Sequence, residues 1–185
     1  MDTHHDNQSS DDKALVPSGT HDTTPTIMEL HRSGPHSPWT TLDRSSCKSS
    51  EDTTDCAVTT YYEGGIDPEH LHSFVVHSPH IRKFLGKVLA DYAGICTTLK
   101  HVTFSSPFHE LYHQWERYID LMERETDDTV LAHICLLHGV VEKVVWPVKE
   151  KTDELLENGV IDYDHLWVLF PPNTDVVSRV EGGHY

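Results

Sequence analysis

The sequence predicts an α+β domain that is mainly helical, with about three to four helices and a few short strands, behind a disordered N-terminal tail. Three observations lead to this prediction. Apolar residues are sparse in residues 1–57, they alternate briefly near Leu71, and they then recur with helical spacing as far as residue 157. We therefore assign the domain to residues 58–185, and we expect it to be truncated at its C-terminal side.

The tail is rich in Ser, Thr, Asp, His and Pro, and its apolar islands are short. Such a segment buries too little apolar surface to offset the entropy lost when the chain is ordered. We therefore expect residues 1–57 to form an acidic, disordered tail. A solvated tail is favoured over a weak metal site for its histidines, which are His4, His5, His21, His31 and His36.

Charge and cysteine usage narrow the class of protein. The formal net charge of −16 disfavours nucleic acid and anionic membranes as partners, because both are bound by clustered Lys and Arg. The N-terminus has no signal-peptide pattern, and we expect no apolar run as long as a membrane span. An intracellular protein, cytoplasmic or nuclear, is expected.

Four widely spaced cysteines without a C-x-x-C pair indicate free thiols, namely Cys47, Cys56, Cys96 and Cys135.

The first elements of the domain are a strand and a helix. Alternation of polar and apolar residues predicts a strand over residues 72–77. Ser78 followed by Pro79 is typical of an N-cap and a first helical residue, so a helix is predicted from Pro79 to Gly94. Its apolar residues share one face, which we expect to be buried.

A second helix is predicted from Ser106–Pro107, which repeats this start signal. His109 and His113 flank its polar side, so a solvated helix face is the favoured interpretation of both histidines. The apolar residues form one stripe, which consists of Phe108, Leu111, Tyr112, Trp115, Tyr118, Ile119 and Met122.

The same helix contains H-E-x-x-H at His109, Glu110 and His113. In zinc proteases, two imidazoles four residues apart hold the metal, and the Glu takes a proton from the bound water. A third ligand is needed. The metzincin pattern is excluded because its Gly and third His are absent, whereas Glu142 could complete a gluzincin-like set. Composition alone predicts about 0.1 chance matches to the motif, so a zinc-dependent hydrolase is kept as the alternative function.

A third helix is predicted to open near Asp128 and to be the most buried element, because it is apolar nearly all round. Pro147 is expected to kink or break it before a charged turn that ends at Asn158–Gly159. After this turn, the densest apolar cluster is expected to be buried; it consists of Leu166, Trp167, Leu169 and Phe170. Residues 175–180 are predicted to form a strand that lacks a returning partner.

The segments SPHIRKFLGKVLADYAG, SPFHELYHQW and GVIDYDHLWVLFPPNTDVV, in this order around a long helix, resemble the domain of unknown function that precedes the ATPase core in filamentous-fungal AAA+ family proteins. The resemblance runs from about Ile66 to Tyr185. Its most specific part is residues 166–172, and residues 107–113 are the second. It implies that His113 belongs to a helix pattern and not to a zinc site.

The intact relatives implied by this resemblance continue into a nucleotide-binding core. This chain contains no G-x-x-x-x-G-K-[ST] pattern, and its Gly86–Lys87 pair lies within a predicted helix. The prediction is therefore a non-enzymatic accessory or protein-interaction domain, with no catalytic, cofactor-binding or metal-binding residues and no cofactor. By the resemblance, such a domain recruits a protein partner or remodelling substrate; nucleic acid and membrane are not expected as partners.

Overall fold

A mixed five-stranded sheet organises the N-terminal half of the protein. The structure is a computed structural model that describes residues 24–41, 56–65, 67, 70–92, 95, 102–172, 174, 175 and 177. The strand order is β2-β1-β3-β4-β5, with β1 parallel to β3 and the other neighbours antiparallel. The strands are β1 (Ile27–Arg32), β2 (Thr40–Thr41), β3 (Val58–Glu63), β4 (Leu71–Val76) and β5 (Val102–Ser105).

Two strands lie within the segment that was expected to be disordered. β1 pairs along its whole length with β3, from Ile27 opposite Val58 to Arg32 opposite Glu63, and His31 is buried. The prediction of a disordered tail is therefore wrong for residues 24–41. β1 forms hydrogen bonds mainly with a strand about 30 residues away, and a local composition argument does not register such a non-local partner. Residues 1–23 and 42–55 lie outside the described residues.

The predicted first strand and helix of the domain are confirmed with small shifts of their ends. β4 covers Leu71–Val76, and α1 covers Pro79–Val88. The Ser78 side chain accepts a hydrogen bond from the backbone N–H of Ile81, and Pro79 is the first helical residue. The helix ends earlier than predicted. Its buried face consists of Ile81, Phe84, Leu85 and Val88.

The second predicted helix starts later than its sequence signal and is divided. The Ser106–Pro107 peptide bond is cis, and Phe108 has a left-handed backbone with φ of 59°. The helical residues are α2 (His109–His113) and α3 (Trp115–Glu123), with Gln114 between them. The prediction of a helix start at Pro107 is therefore wrong. The predicted apolar stripe is largely confirmed, since five of its members are buried: Phe108, Leu111, Tyr112, Trp115 and Tyr118.

The longest helix, α4, covers Asp128–Glu157 and packs against α1, α2 and α3. Asp127 caps it by accepting hydrogen bonds from the N–H groups of Thr129 and Val130. The helix continues through Pro147, so of the two predicted outcomes, a kink or a break, the break is wrong. Val145, two residues before Pro147, is buried in the core.

α4 also has the length and composition of a membrane span, contrary to expectation. An 18-residue window reaches a mean hydropathy of 1.4, and 28% of that window is buried. A core helix of a soluble domain meets the same criteria. Here Ile134, Leu137 and Val141 are fully buried against the other helices. One side of α4 therefore lies in the domain core. The prediction that this helix is the most buried element is wrong, since six of its 30 residues are buried, against four of ten in α1.

The chain reverses after α4 and forms a short 3₁₀ helix, Tyr163–Leu169. Gly159 has φ of 71°, and the N–H of Val160 donates to the carbonyl of Leu155 at 3.0 Å, which together form a Schellman ending. This end of the helix is therefore where the sequence predicted it. The strand predicted at residues 175–180 falls mostly outside the described residues.

The predicted α+β class is confirmed, since the described part of the chain contains five helical segments and a five-stranded sheet. One buried cluster joins the sheet to the helices, and Phe74 of β4 stacks on Phe104 of β5 with ring centroids 5.0 Å apart. Cys135 is a free thiol, as expected. Cys56 is buried, with its Sγ 3.3 Å from the Thr59 hydroxyl. Cys47 and Cys96 lie outside the described residues.

Candidate functional site

The H-E-x-x-H histidines pack against a tryptophan from the far end of the chain. The ring centroid of His109 lies 4.1 Å from that of Trp167, and the ring centroid of His113 lies 5.5 Å from it. Both histidines are partly buried, and the buried Nε2 of His109 has no hydrogen-bond partner among the described residues. The prediction that these two histidines form a solvated face is therefore wrong.

Tyr112 completes this contact from the position between the two histidines. Its ring stands edge-on to Trp167 at 4.9 Å, and its hydroxyl lies 2.8 Å from the Thr152 hydroxyl of α4. We call His109, Tyr112 and His113 the Trp167 clamp. Because Thr152 donates in turn to a carbonyl of its own helix, the clamp joins α2, α4 and the 3₁₀ helix at one place.

The electrostatics of the clamp favour neutral imidazoles. Burial lowers the pKa of His109, although neighbouring Glu110 acts in the opposite direction. Burial also lowers the pKa of His113, and His109 and Lys149 lower it further. The Lys149 ammonium lies 5.1 Å from the centre of the Tyr112 ring and 2.7 Å from a Glu116 carboxylate oxygen.

The structure does not bring the possible third zinc ligand to these histidines. Glu142 lies on α4 beside His138, with 3.8 Å between Nε2 and Oε2. Within the described ranges, no group of three or more His, Cys, Asp or Glu side chains is arranged to hold a metal ion. The spacing of His109 and His113 on α2 serves packing against Trp167 in this fold.

The outer side of the 3₁₀ helix carries an exposed apolar row. A 3₁₀ helix has 3.0 residues per turn, so Tyr163, Leu166 and Leu169 lie one above another on one side. Tyr163 is 90% exposed, Leu166 is 40% exposed and Leu169 is 42% exposed. Phe170 follows the row and is 50% exposed. We call these four residues the apolar row. The prediction that Leu166, Trp167, Leu169 and Phe170 are buried is wrong except at Trp167, which is partly buried against the core.

The 3₁₀ helix is anchored at its start as well as at Trp167. The Asp162 carboxylate accepts a hydrogen bond from the backbone N–H of His165 at 2.9 Å and pairs with Lys151 of α4 at 3.2 Å. The pKa of Asp162 is lowered, chiefly because its side chain is hydrogen-bonded to His165. These contacts hold the helix on the domain while its apolar row faces outward.

Acidic residues are frequent in the sequence on both sides of the apolar row. Residues 151–175 contain six acidic residues and one lysine, and that lysine pairs with Asp162. Asp164 is exposed within the 3₁₀ helix, and Glu157 is exposed at the end of α4. Neither has an ion-pair partner among the described residues. The 3₁₀ helix therefore presents an exposed carboxylate, that of Asp164, one residue after Tyr163 of the apolar row.

A concave region lies at the carboxyl ends of the parallel strands β1 and β3. It is an open cleft of about 430 Å³ beside His31 and Arg32. The Arg32 guanidinium pairs with Glu63 at 2.6 Å and lies 4.4 Å from the centre of the Trp39 ring. Its charge is therefore already compensated within the protein. Sequence reasoning missed this cleft because it assigned both residues to the tail.

The part of the chain that carries the apolar row also carries a family match. Residues 151–185 match a domain of unknown function, DUF7025. The matched segment includes the end of α4, the Schellman ending and the whole 3₁₀ helix. No curated protein and no solved structure matches the chain.

Proposed function

We propose that this chain is a non-enzymatic accessory domain that binds a partner protein through the apolar row of its 3₁₀ helix. The proposal rests on the difference in burial between the two sides of the 3₁₀ helix. Trp167 is held inward by the clamp, whereas Tyr163, Leu166 and Leu169 face solvent. Exposed apolar groups that are contiguous and edged by polar residues are typical of protein-binding surfaces.

The location of the exposed residues supports the same proposal. Among the described residues, every large exposed apolar side chain except Trp146 lies between Leu156 and Val177. Exposure scattered over the surface is ordinary in soluble proteins and needs no explanation. Four of these eight side chains belong to the apolar row, which is anchored to the domain through Asp162 and Trp167, and this concentration favours a dedicated contact surface.

The context of the proposal is the resemblance of residues 66–185 to the domain before the ATPase core of fungal AAA+ proteins. That resemblance implies a domain that recruits substrates or adaptors to a remodelling ATPase inside the cell. We propose that the chain acts in the cytoplasm or nucleus in such a role, with a protein as partner. This role rests on analogy of sequence, whereas the binding surface rests on the geometry of the 3₁₀ helix.

Site-specific photo-cross-linking tests the proposal. A photoreactive phenylalanine analogue is placed at position 163 in the full chain, and at position 146 as a control that is also exposed and aromatic. We expect a discrete heteromeric adduct in native extract from position 163 alone. The cross-linked protein is then purified, and its binding to the wild-type chain is measured by calorimetry.

Calorimetry of the purified partner with variants of the chain decides whether the surface is correct. Binding of the purified partner is expected to weaken about tenfold with Leu169→Ser, a loss of about 1.4 kcal/mol, and to be unchanged with Trp146→Ser. Equal adducts at both positions, or a partner whose affinity is indifferent to Leu169→Ser, would overturn the proposed surface.

A further inference from the structure

We infer that the partner segment is a basic amphipathic α-helix that lies along the apolar row. This inference deepens the proposed function and rests on it. It concerns the chemistry of the occupant, which is decided by two properties of the surface: the spacing of its apolar residues and the sign of the charge around them.

The spacing of the row matches that of an α-helix. A 3₁₀ helix rises about 2.0 Å per residue, so successive members of the row, from Tyr163 to Leu166 to Leu169, are about 6 Å apart. One turn of an α-helix rises about 5.4 Å, and its apolar residues at i, i+3 or i+4, and i+7 repeat at nearly this distance. Two to three apolar side chains of one helix face can therefore fit between those of the row.

The charge around the row selects a basic partner. The protein has a net charge of −16, and residues 151–175 contain six acidic residues against one lysine. That lysine, Lys151, is already paired with Asp162. Asp164 remains as an exposed carboxylate on the 3₁₀ helix, one residue after Tyr163, where it attracts Lys or Arg on the polar side of a docked helix and repels an acidic helix.

The occupant is therefore distinguished from a second copy of this chain. A second copy would bring the same acidic residues into the contact, and like charges facing one another oppose association. A basic helix satisfies both properties of the surface at once. Its apolar residues cover the row, and its cations attract the Asp164 carboxylate.

A pair of designed peptides tests the inference. One fluorescent peptide of about 18 residues places Leu on one helix face and Lys elsewhere, and a matched peptide has Glu in place of every Lys. Binding to the full chain is measured by fluorescence anisotropy at low salt and at about 0.3 M salt, where screening is stronger. We expect the Leu/Lys peptide to bind, to weaken with salt, and to bind at least about tenfold more tightly than the Leu/Glu peptide.

Two variants and two matched controls locate the binding. Tyr163→Ser removes a side chain that is 90% exposed, so the fold is not at risk. Asp164→Lys reverses one exposed charge on the 3₁₀ helix. Each is expected to weaken the Leu/Lys peptide about fivefold to tenfold. The first control is Trp146→Ser, which removes another exposed aromatic side chain. The second is Glu123→Lys, which reverses the charge of an exposed acid at the end of α3. Neither control is expected to change the affinity for the peptide by more than about twofold.

The outcomes distinguish a wrong class of partner from a wrong binding surface. Equal binding of both peptides, or loss of affinity with the controls as large as with the variants, would overturn the basic-helix assignment. Self-association of the chain that is abolished by Tyr163→Ser would assign the surface to a second copy instead. The photo-cross-linking result at position 163 is independent of peptide charge, so it can still support a protein-binding surface if the basic helix is wrong.

Discussion

Trp167→Ala is expected to detach the 3₁₀ helix from α2. More than half of the indole is buried against His109, Tyr112 and His113. Burial of a large aromatic side chain in such a position removes about 150 Å² from water, which corresponds to about 3.8 kcal/mol at about 25 cal/mol per Å². A compact denatured state reduces this value, so we expect a loss of about 2 to 3 kcal/mol in the free energy of unfolding.

Urea unfolding and amide hydrogen exchange measure this effect at two levels. The unfolding midpoint reports the global loss, and exchange over residues 160–170 reports local release of the 3₁₀ helix. His109→Ala is expected to increase exchange in the same residues by a smaller factor, because one of three ring contacts is lost. Trp146→Ala is the control, since Trp146 is 54% exposed on α4 and lies outside the clamp. If Trp167→Ala were as mild as Trp146→Ala by both measurements, the clamp would not hold the C-terminal element.

Three further predictions follow from the clamp and from the sequence. The pKa values of His109 and His113 are lowered in the folded protein, so it binds fewer protons than the unfolded chain below the unfolded pKa of about 6.5. The stability that the two neutral histidines contribute is present above that pH and is lost as pH falls through the lowered pKa values. The slope of unfolding free energy between about pH 7 and 5 should decrease in the His109→Gln, His113→Gln double variant. Untagged protein should contain no stoichiometric zinc by atomic emission, and His113→Ala should increase exchange of the 3₁₀ amides without altering metal content; about one tightly held zinc per chain, lost in that variant, would establish the hydrolase alternative. Calorimetry with ATP and magnesium should show no saturable binding, because the chain has no phosphate-binding loop; a binding isotherm there would contradict the accessory-domain assignment.

Local signals in the sequence were reliable where they act within one turn of the chain. Ser78 caps α1 as predicted, and the Schellman ending forms at Gly159, because both depend on hydrogen bonds between residues close in sequence. The same Ser-Pro signal failed at Ser106–Pro107. There Phe108 is buried in the sheet and helix core, and the helix begins at His109 instead. Tertiary packing overrode a start signal of small energy.

The sequence by itself determined the α+β class, the approximate position of each helix, the buried face of α1 and the lack of a phosphate-binding loop, because these depend on periodicity and short motifs. Only the tertiary structure decided the rest. It placed β1 in the sheet by pairing with β3, and it turned Trp167 inward while Tyr163 and its row face outward. The physical reason is that each of these outcomes depends on partners distant in the chain: His109 and Trp167 are 58 positions apart in the sequence, yet their rings lie 4.1 Å apart.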